Sequence, residues 1–146
     1  FSQYRARNMV WAYDRWLVGD PQSSSVGYFT DTISNHWGQI VRWEFGTMIV
    51  YNESNGAIFH RLELVSLPGR VAFGSNPIIT TSYSLDGLSW SQDRQIRVGT
   101  IGDTKKRLVW FQQGSMRHWR IQRFRGDSQS HLSFVRLEAK IEGLVN

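Results

Sequence analysis

The sequence predicts an all-β protein made of antiparallel sheets, with a β-sandwich or propeller-like portion and little or no helix. Aromatic residues make up 14% of its 146 residues, and such side chains suit the half-buried surface of a pleated sheet. No long stretch keeps apolar side chains at the i, i+3, i+4 and i+7 positions of an amphipathic helix. Short alternating segments separated by Gly turns recur instead, as they do in sandwiches and propellers.

Strand-like segments follow one another along the whole chain. The predicted strands are residues 9–13, 16–18, 26–30, 38–51, 57–66, 78–84, 88–90, 107–113, 117–125 and 132–141. Alternation is clearest at residues 132–141, and β-branched side chains are densest at residues 78–84. We expect one β domain over residues 1–146. Because the chain opens at Phe1 without an initiator Met, we also expect a piece of a longer polypeptide.

The amino-acid composition and the spacing of reactive residues argue against several classes of function. With no cysteine, the chain has no disulfide framework, thiolate metal site or Cys nucleophile. Its apolar runs are far shorter than the roughly 20 residues that span a bilayer, so we predict no membrane segment. The four histidines show no metal-ligand spacing: His36, His60, His118 and His131. No pair of carboxylates, nucleophile elbow or phosphate loop stands out, so we predict no enzyme, no catalytic residue, no metal and no cofactor.

Residues 84–90, Ser-Leu-Asp-Gly-Leu-Ser-Trp, form the sharpest local motif. The Asp86-Gly87 pair is typical of a type I′ hairpin turn, which needs positive φ at both central residues. The segment also resembles the Asp-box of sialidase-type β-propellers, one residue short between Asp86 and Trp90. In such boxes the Asp organises a turn and the Trp packs beneath it. We therefore assign a structural turn to Ser84, Asp86, Gly87 and Trp90.

Residues 117–125 interleave cations with aromatic rings. On a strand, alternate residues face opposite ways: Arg117, Trp119, Ile121, Arg123 and Arg125 against His118, Arg120, Gln122 and Phe124. Such a segment suits either a groove for single-stranded nucleic acid or a protein interface. We favour the interface because cations occur on both faces and form no one-sided stripe. The candidate interface residues are Arg117, Trp119, Arg120, Arg123 and Arg125.

The excess of arginine has two interpretations. The chain has 17 lysines and arginines and a net charge of +5. Only three of the 17 are lysines: Lys105, Lys106 and Lys140. Arginine suits protein interfaces and phosphate contacts because its planar fork is weakly hydrated. A coding bias or a solvated basic surface explains the same composition equally well.

An ordered set of segments resembles a known family. The segments are residues 16–20, 58–64, 83–90, 99–102, 107–110 and 123–125. From about Trp11 to Gly143 the chain resembles the C-terminal part of the packaged-DNA stabilisation proteins of short-tailed bacteriophages. These are also called tail hub proteins or tail accessory factors.

The resemblance implies a structural virion protein without catalytic residues, assembled in the host cytoplasm into the phage tail. It also implies a C-terminal fragment of a longer protein. Copies would form a ring that helps to close the portal channel, next to portal adaptor, tail needle and tailspike proteins. Direct DNA contact is the less favoured alternative. A second function stays open, a carbohydrate-binding β module with an Asp-box-like turn and exposed aromatic rings at Trp37, Trp43 and Trp119.

Overall fold

The computed structural model describes residues 4–145, and these residues are all-β, as the sequence predicts. One turn of 3₁₀ helix at Ser128–Ser130 is the exception. Within the described part of the chain, no helix is long and apolar enough to cross a membrane. The strands are β1 (Arg7–Ala12), β2 (Arg15–Gly19), β3 (Val26–Tyr28), β4 (Arg42–Gly46), β5 (Val50–Tyr51), β6 (Ala57–Leu67), β7 (Ile78–Ser84), β8 (Arg94–Arg97), β9 (Leu108–Phe111), β10 (Ser115–Met116), β11 (Trp119–Asp127) and β12 (Ser133–Gly143).

The chain forms two compact units, Phe1–Arg42 and Trp43–Asn146. The first unit holds the antiparallel sheet β1-β2-β3. Tyr13 and Asp14 connect β1 to β2, and both have left-handed φ angles (53° and 58°), the pattern of a type I′ turn. The turn sets the register, which pairs Trp11 with Trp16 across the hairpin. That the two units belong to one domain stays a prediction.

Asp20, just after β2, is the centre of a hydrogen-bond network in the first unit. Its carboxylate accepts hydrogen bonds from Arg5 Nε at 2.7 Å, from the Ser23 hydroxyl and from the Gln22 N–H. The Arg5 guanidinium is the largest cause that holds the pKa of Asp20 well below its usual range. The same guanidinium lies over the ring of Trp37, with 5.1 Å between Cζ and the ring centroid. Asp20 therefore ties the segment before β1 to the turn after β2.

The second unit is a β-sandwich. One antiparallel sheet has β6 at its centre, with β9 and β10 on one side and β12 on the other. The other sheet has the order β4-β11-β7-β8, with β5 also paired to β11. Of the two architectures left open by the sequence, sandwich and propeller, the structure has the sandwich.

Apolar side chains from both sheets fill the space between them. The main cluster of buried residues is Leu64, Val71, Ile79, Val98, Leu108, Trp110 and Phe124. A smaller cluster of Ala57, Phe59, Leu62 and Met116 continues the core along β6 and β10. Alternation places the core residues of β7 and β11, and in β6 the phase of the alternation shifts by one residue between Phe59 and Leu62, where the pairing with β12 is irregular.

Candidate interaction surface

Strand β11 carries most of the predicted interface residues, and its two faces differ sharply. The predicted alternation is correct, since every second side chain is buried: Arg120, Gln122 and Phe124. The other side chains are partly exposed on the outer face of the sheet: Trp119, Ile121, Arg123 and Arg125. Arg117 is exposed and lies just before the strand begins. The candidate surface is therefore the outer face of β11, and we call it the β11 outer face.

Arg120 is not part of that face, which corrects the sequence interpretation. The residue is 0% exposed and lies between the two sheets. Its guanidinium is stacked between the rings of Tyr83 and Phe59, with Cζ 3.8 Å and 4.1 Å from their centroids. Nη1 donates to the carbonyl of Gln113 at 2.6 Å, and Nε and Nη2 donate to Gln122 Oε1 at 3.1 and 2.7 Å.

Neutral oxygen atoms, and not a carboxylate, accept the hydrogen bonds of the buried Arg120. No Asp or Glu among the described residues forms an ion pair with it. Gln122 Nε2 donates in turn to the Thr81 hydroxyl, which donates to the Arg123 carbonyl. Desolvation lowers the pKa of Arg120 to about 10, so the guanidinium stays protonated at neutral pH. No local pattern predicts this network, because the partners of Arg120 and Gln122 come from other strands and from the segment after β9.

Contacts within the sheet orient Arg123 and Arg125 on the β11 outer face. The Arg123 guanidinium lies over the ring of Trp90, with 3.8 Å between Cζ and the centroid. Arg123 also donates to the Ser82 hydroxyl and lies 3.8 Å from a Glu44 carboxylate oxygen. Arg125 forms an ion pair with Asp93. These contacts restrict the rotamers of both arginines, so less side-chain entropy is lost when a partner binds.

The predicted turn at Ser84, Asp86, Gly87 and Trp90 forms, but with a different geometry. Only Gly87 of the central pair has a left-handed φ (76°), so the turn is not type I′. Asp86 Oδ1 accepts from the N–H groups of Leu88 and Ser89, each at 2.8 Å. The Ser84 hydroxyl donates to Asp86 and accepts from the Gly87 N–H at 2.8 Å. The next paired strand is β8, so the hairpin connection spans residues 85–93 and the strand predicted at 88–90 is absent.

The Asp-box likeness implies that Trp90 packs beneath this turn, but in the structure it does not. The residue is 36% exposed, and its ring lies under the Arg123 guanidinium. Trp119 approaches the turn instead, since a Cβ built on Gly87 would lie 3.7 Å from its ring. The turn therefore borders the β11 outer face, which brings Trp90 and Trp119 to the same surface as Arg123.

Gly87→Val is expected to lower the free energy of unfolding by about 1–3 kcal/mol. A β-branched residue is strained at the left-handed φ of 76°, whereas the space around Gly87 is open enough for a side chain. Chemical denaturation of both proteins measures the difference. Gly46→Val is the matched control, because Gly46 has no left-handed φ and its added Cβ makes ordinary contacts. Equal losses in the two variants would contradict the strained turn.

Acid is expected to weaken the Asp86 turn. The hydroxyl of Ser89, followed by the N–H groups of Leu88 and Ser89, holds the pKa of Asp86 well below its usual range. The stability contributed by a carboxyl with a lowered pKa is complete above its unfolded value of about 4 and is lost as the pH falls below it. Asp86→Asn removes this titration, so its stability deficit at pH 7 should shrink at pH 3. Denaturation of both proteins at the two pH values measures the change; a constant deficit would contradict it.

Metal-binding geometry is not found in the part of the chain that the structure describes. No three of its His, Asp and Glu side chains are grouped so that they could hold a metal ion. His60 contacts Glu142 at 2.8 Å, and Glu63 is bound by Arg107, whose guanidinium lowers the pKa of that carboxyl. These ionisable groups therefore serve contacts between strands.

Comparison with known proteins places the second unit in a family. A family model described as the β-sandwich of bacteriophage P22 Gp10 matches residues 42–142. The chain belongs to this family. The P22 Gp10 β-sandwich match runs from β4 into β12 and includes the Asp86 turn and the whole of β11. Membership makes the chain a phage tail structural protein, in agreement with the resemblance of its segments. A comparison with curated proteins finds no match.

Proposed function

We propose that the chain is the β-sandwich part of a phage tail hub subunit. Several copies form a ring below the portal and its adaptor, help to close the channel behind the packaged DNA, and support the needle and tailspikes. The observation that carries the proposal is the family match over the β-sandwich, with an arginine- and tryptophan-bearing face on one of its sheets. A ring subunit needs a rigid scaffold with interaction faces, and it needs no catalytic cleft.

The β11 outer face has the chemistry of a protein interface. Arginine and tryptophan are the residues most enriched among interface hot spots. Trp90 and Arg123 are stacked on each other, and Trp119 lies beside the Asp86 turn, so the rings and the guanidinium group form one surface. We assign Arg117, Trp119, Arg123 and Arg125 to contacts with neighbouring copies or with adaptor, needle and tailspike proteins.

Charge pairing on this face favours a protein partner over DNA. Arg123 lies near Glu44, and Arg125 is paired with Asp93. Binding to the phosphate backbone of DNA depends on Lys and Arg side chains that neutralise phosphates and release the counterions of the DNA. A side chain that is already paired with a carboxylate contributes little to this binding. Sugar binding is less supported, because none of the three rings that suggested it is fully exposed: Trp43 packs against the core, and Trp37 and Trp119 are half-buried.

Arg117→Glu in the full-length protein is expected to weaken incorporation into tails by about tenfold, because like charges at an interface repel. The residue is exposed, so folding should be unchanged. The measurement is the copy number of the variant in purified particles, in competition with the wild type. Arg70→Glu is the matched control, since it reverses an exposed arginine away from β11. Equal incorporation of all three proteins would place the interface elsewhere.

A further inference from the structure

Strand β12 is an unpaired edge of the β-sandwich. It spans Ser133–Gly143 and pairs along its length with β6, and no described strand pairs with its other side. The pairing with β6 is irregular at Val135, but β12 itself runs without an inserted residue from Arg136 to Gly143. Its side chains are exposed apart from the partly buried Leu137 and Glu138. A long exposed edge of this kind is a template for another strand.

The charges on the outer face of this edge alternate in sign. Arg136, Glu138, Lys140 and Glu142 share one face, giving the order plus, minus, plus, minus. The apolar Leu137 and Ile141 share the other face, opposite Leu64 and Phe59 of β6. In an antiparallel neighbour with the same sequence, the order of the charges runs in the opposite direction. Each charge then faces a residue of opposite charge. A parallel copy in register would place like charges side by side.

We propose that β12 pairs antiparallel with β12 of a second copy of this chain, about a two-fold axis at Ala139. In this register Arg136 faces Glu142, and Glu138 faces Lys140, each twice by symmetry. On the apolar face, Leu137 of each copy meets Ile141 of the other and the two Ala139 residues meet at the axis. Opposite charges and apolar side chains placed directly across an antiparallel ladder each stabilise it. The two four-stranded sheets become one continuous sheet.

The charge pattern fits pairing better than protection of the edge. Edge charges that prevent pairing work by repulsion or by burial of an unpaired charge. Within one chain Arg136 pairs with Glu138, and Glu142 contacts His60. Each charge of this face also has an oppositely charged position on a second copy, so the edge favours an antiparallel copy of itself. A two-fold contact is complete in a pair and cannot supply the repeating contact of a ring. The inference therefore concerns the free protein and does not depend on the proposed tail function.

A charge-swap experiment tests the pairing in solution. Sedimentation analysis of the 146-residue chain should show a dimer. Glu138→Lys and Lys140→Glu should each raise the dimer dissociation constant by about tenfold, since each places two like-charged pairs across the axis. An equimolar mixture of the two variants should restore dimers, because each lysine then faces a glutamate. A mixture that dimerises no better than its components would overturn the proposal, as would a wild-type chain that stays monomeric at every concentration.

A disulfide tests the register. The chain has no cysteine, so Ala139→Cys introduces a single thiol at the proposed axis. Residues directly opposite in an antiparallel pair have Cα atoms about 4.5–5.5 Å apart, which a disulfide can bridge. Mild oxidation should convert this variant to a covalent dimer, and Lys105→Cys, on an exposed turn, should remain mostly monomeric. Equal cross-linking of the two variants would overturn the proposed register.

Discussion

Arg120→Ala is expected to lower the free energy of unfolding by about 3–5 kcal/mol. The substitution removes a buried side chain stacked between Tyr83 and Phe59 and leaves a cavity between the sheets. It also leaves the Gln113 carbonyl and Gln122 Oε1 without the donors that now satisfy them. Urea denaturation at neutral pH measures the loss.

Arg120→Met is the informative companion variant. Methionine fills much of the volume without bringing a charge into the core, so it should recover part of the stability lost in the alanine variant. Arg120→Glu places a carboxylate between two ring faces beside acceptors, and this variant should not fold. An alanine variant with an unchanged midpoint would show that Arg120 is exposed in solution, as the sequence interpretation had it.

Phe124→Ala is expected to cost about 3–5 kcal/mol as well. Phe124 is 0% exposed, and its ring lies 5.3 Å from that of Phe45 and 5.6 Å from that of Trp110, so it joins the two sheets. Phe111→Ala is the matched control, since that ring is 65% exposed and should cost well under 1 kcal/mol. Thermal and chemical denaturation of both variants provide the comparison. Similar losses would contradict the sandwich core.

Much of the fold is predictable because strand alternation is local. The segments predicted at residues 57–66, 78–84 and 132–141 correspond to β6, β7 and β12, and the alternation within β11 is also correct. The strands predicted at residues 9–13 and 16–18 correspond to β1 and β2, but the turn between them is not predicted, because Tyr13 and Asp14 lack the Asn-Gly or Asp-Gly signal of a type I′ turn.

The candidate site was less predictable because burial of a charge is not local. Alternation shows that Arg120 and Arg123 point opposite ways, but it does not show which way is inward. Cations occur on both faces of β11, and the partners that make burial of Arg120 possible come from β6, β7 and the segment after β9. The likeness to an Asp-box predicts a buried Trp90, whereas its ring contacts the guanidinium of Arg123, a residue far away in sequence.

The central proposal is that the β-sandwich is part of a phage tail hub. The most direct measurement is a cryo-electron microscopy reconstruction of mature particles of the phage that encodes the chain. We expect density for the sandwich in a ring below the portal, with Arg123 and Arg125 of β11 and the adjacent Trp90 buried against a neighbouring protein. A sandwich located outside the tail, or a β11 outer face open to solvent in every copy, would contradict it.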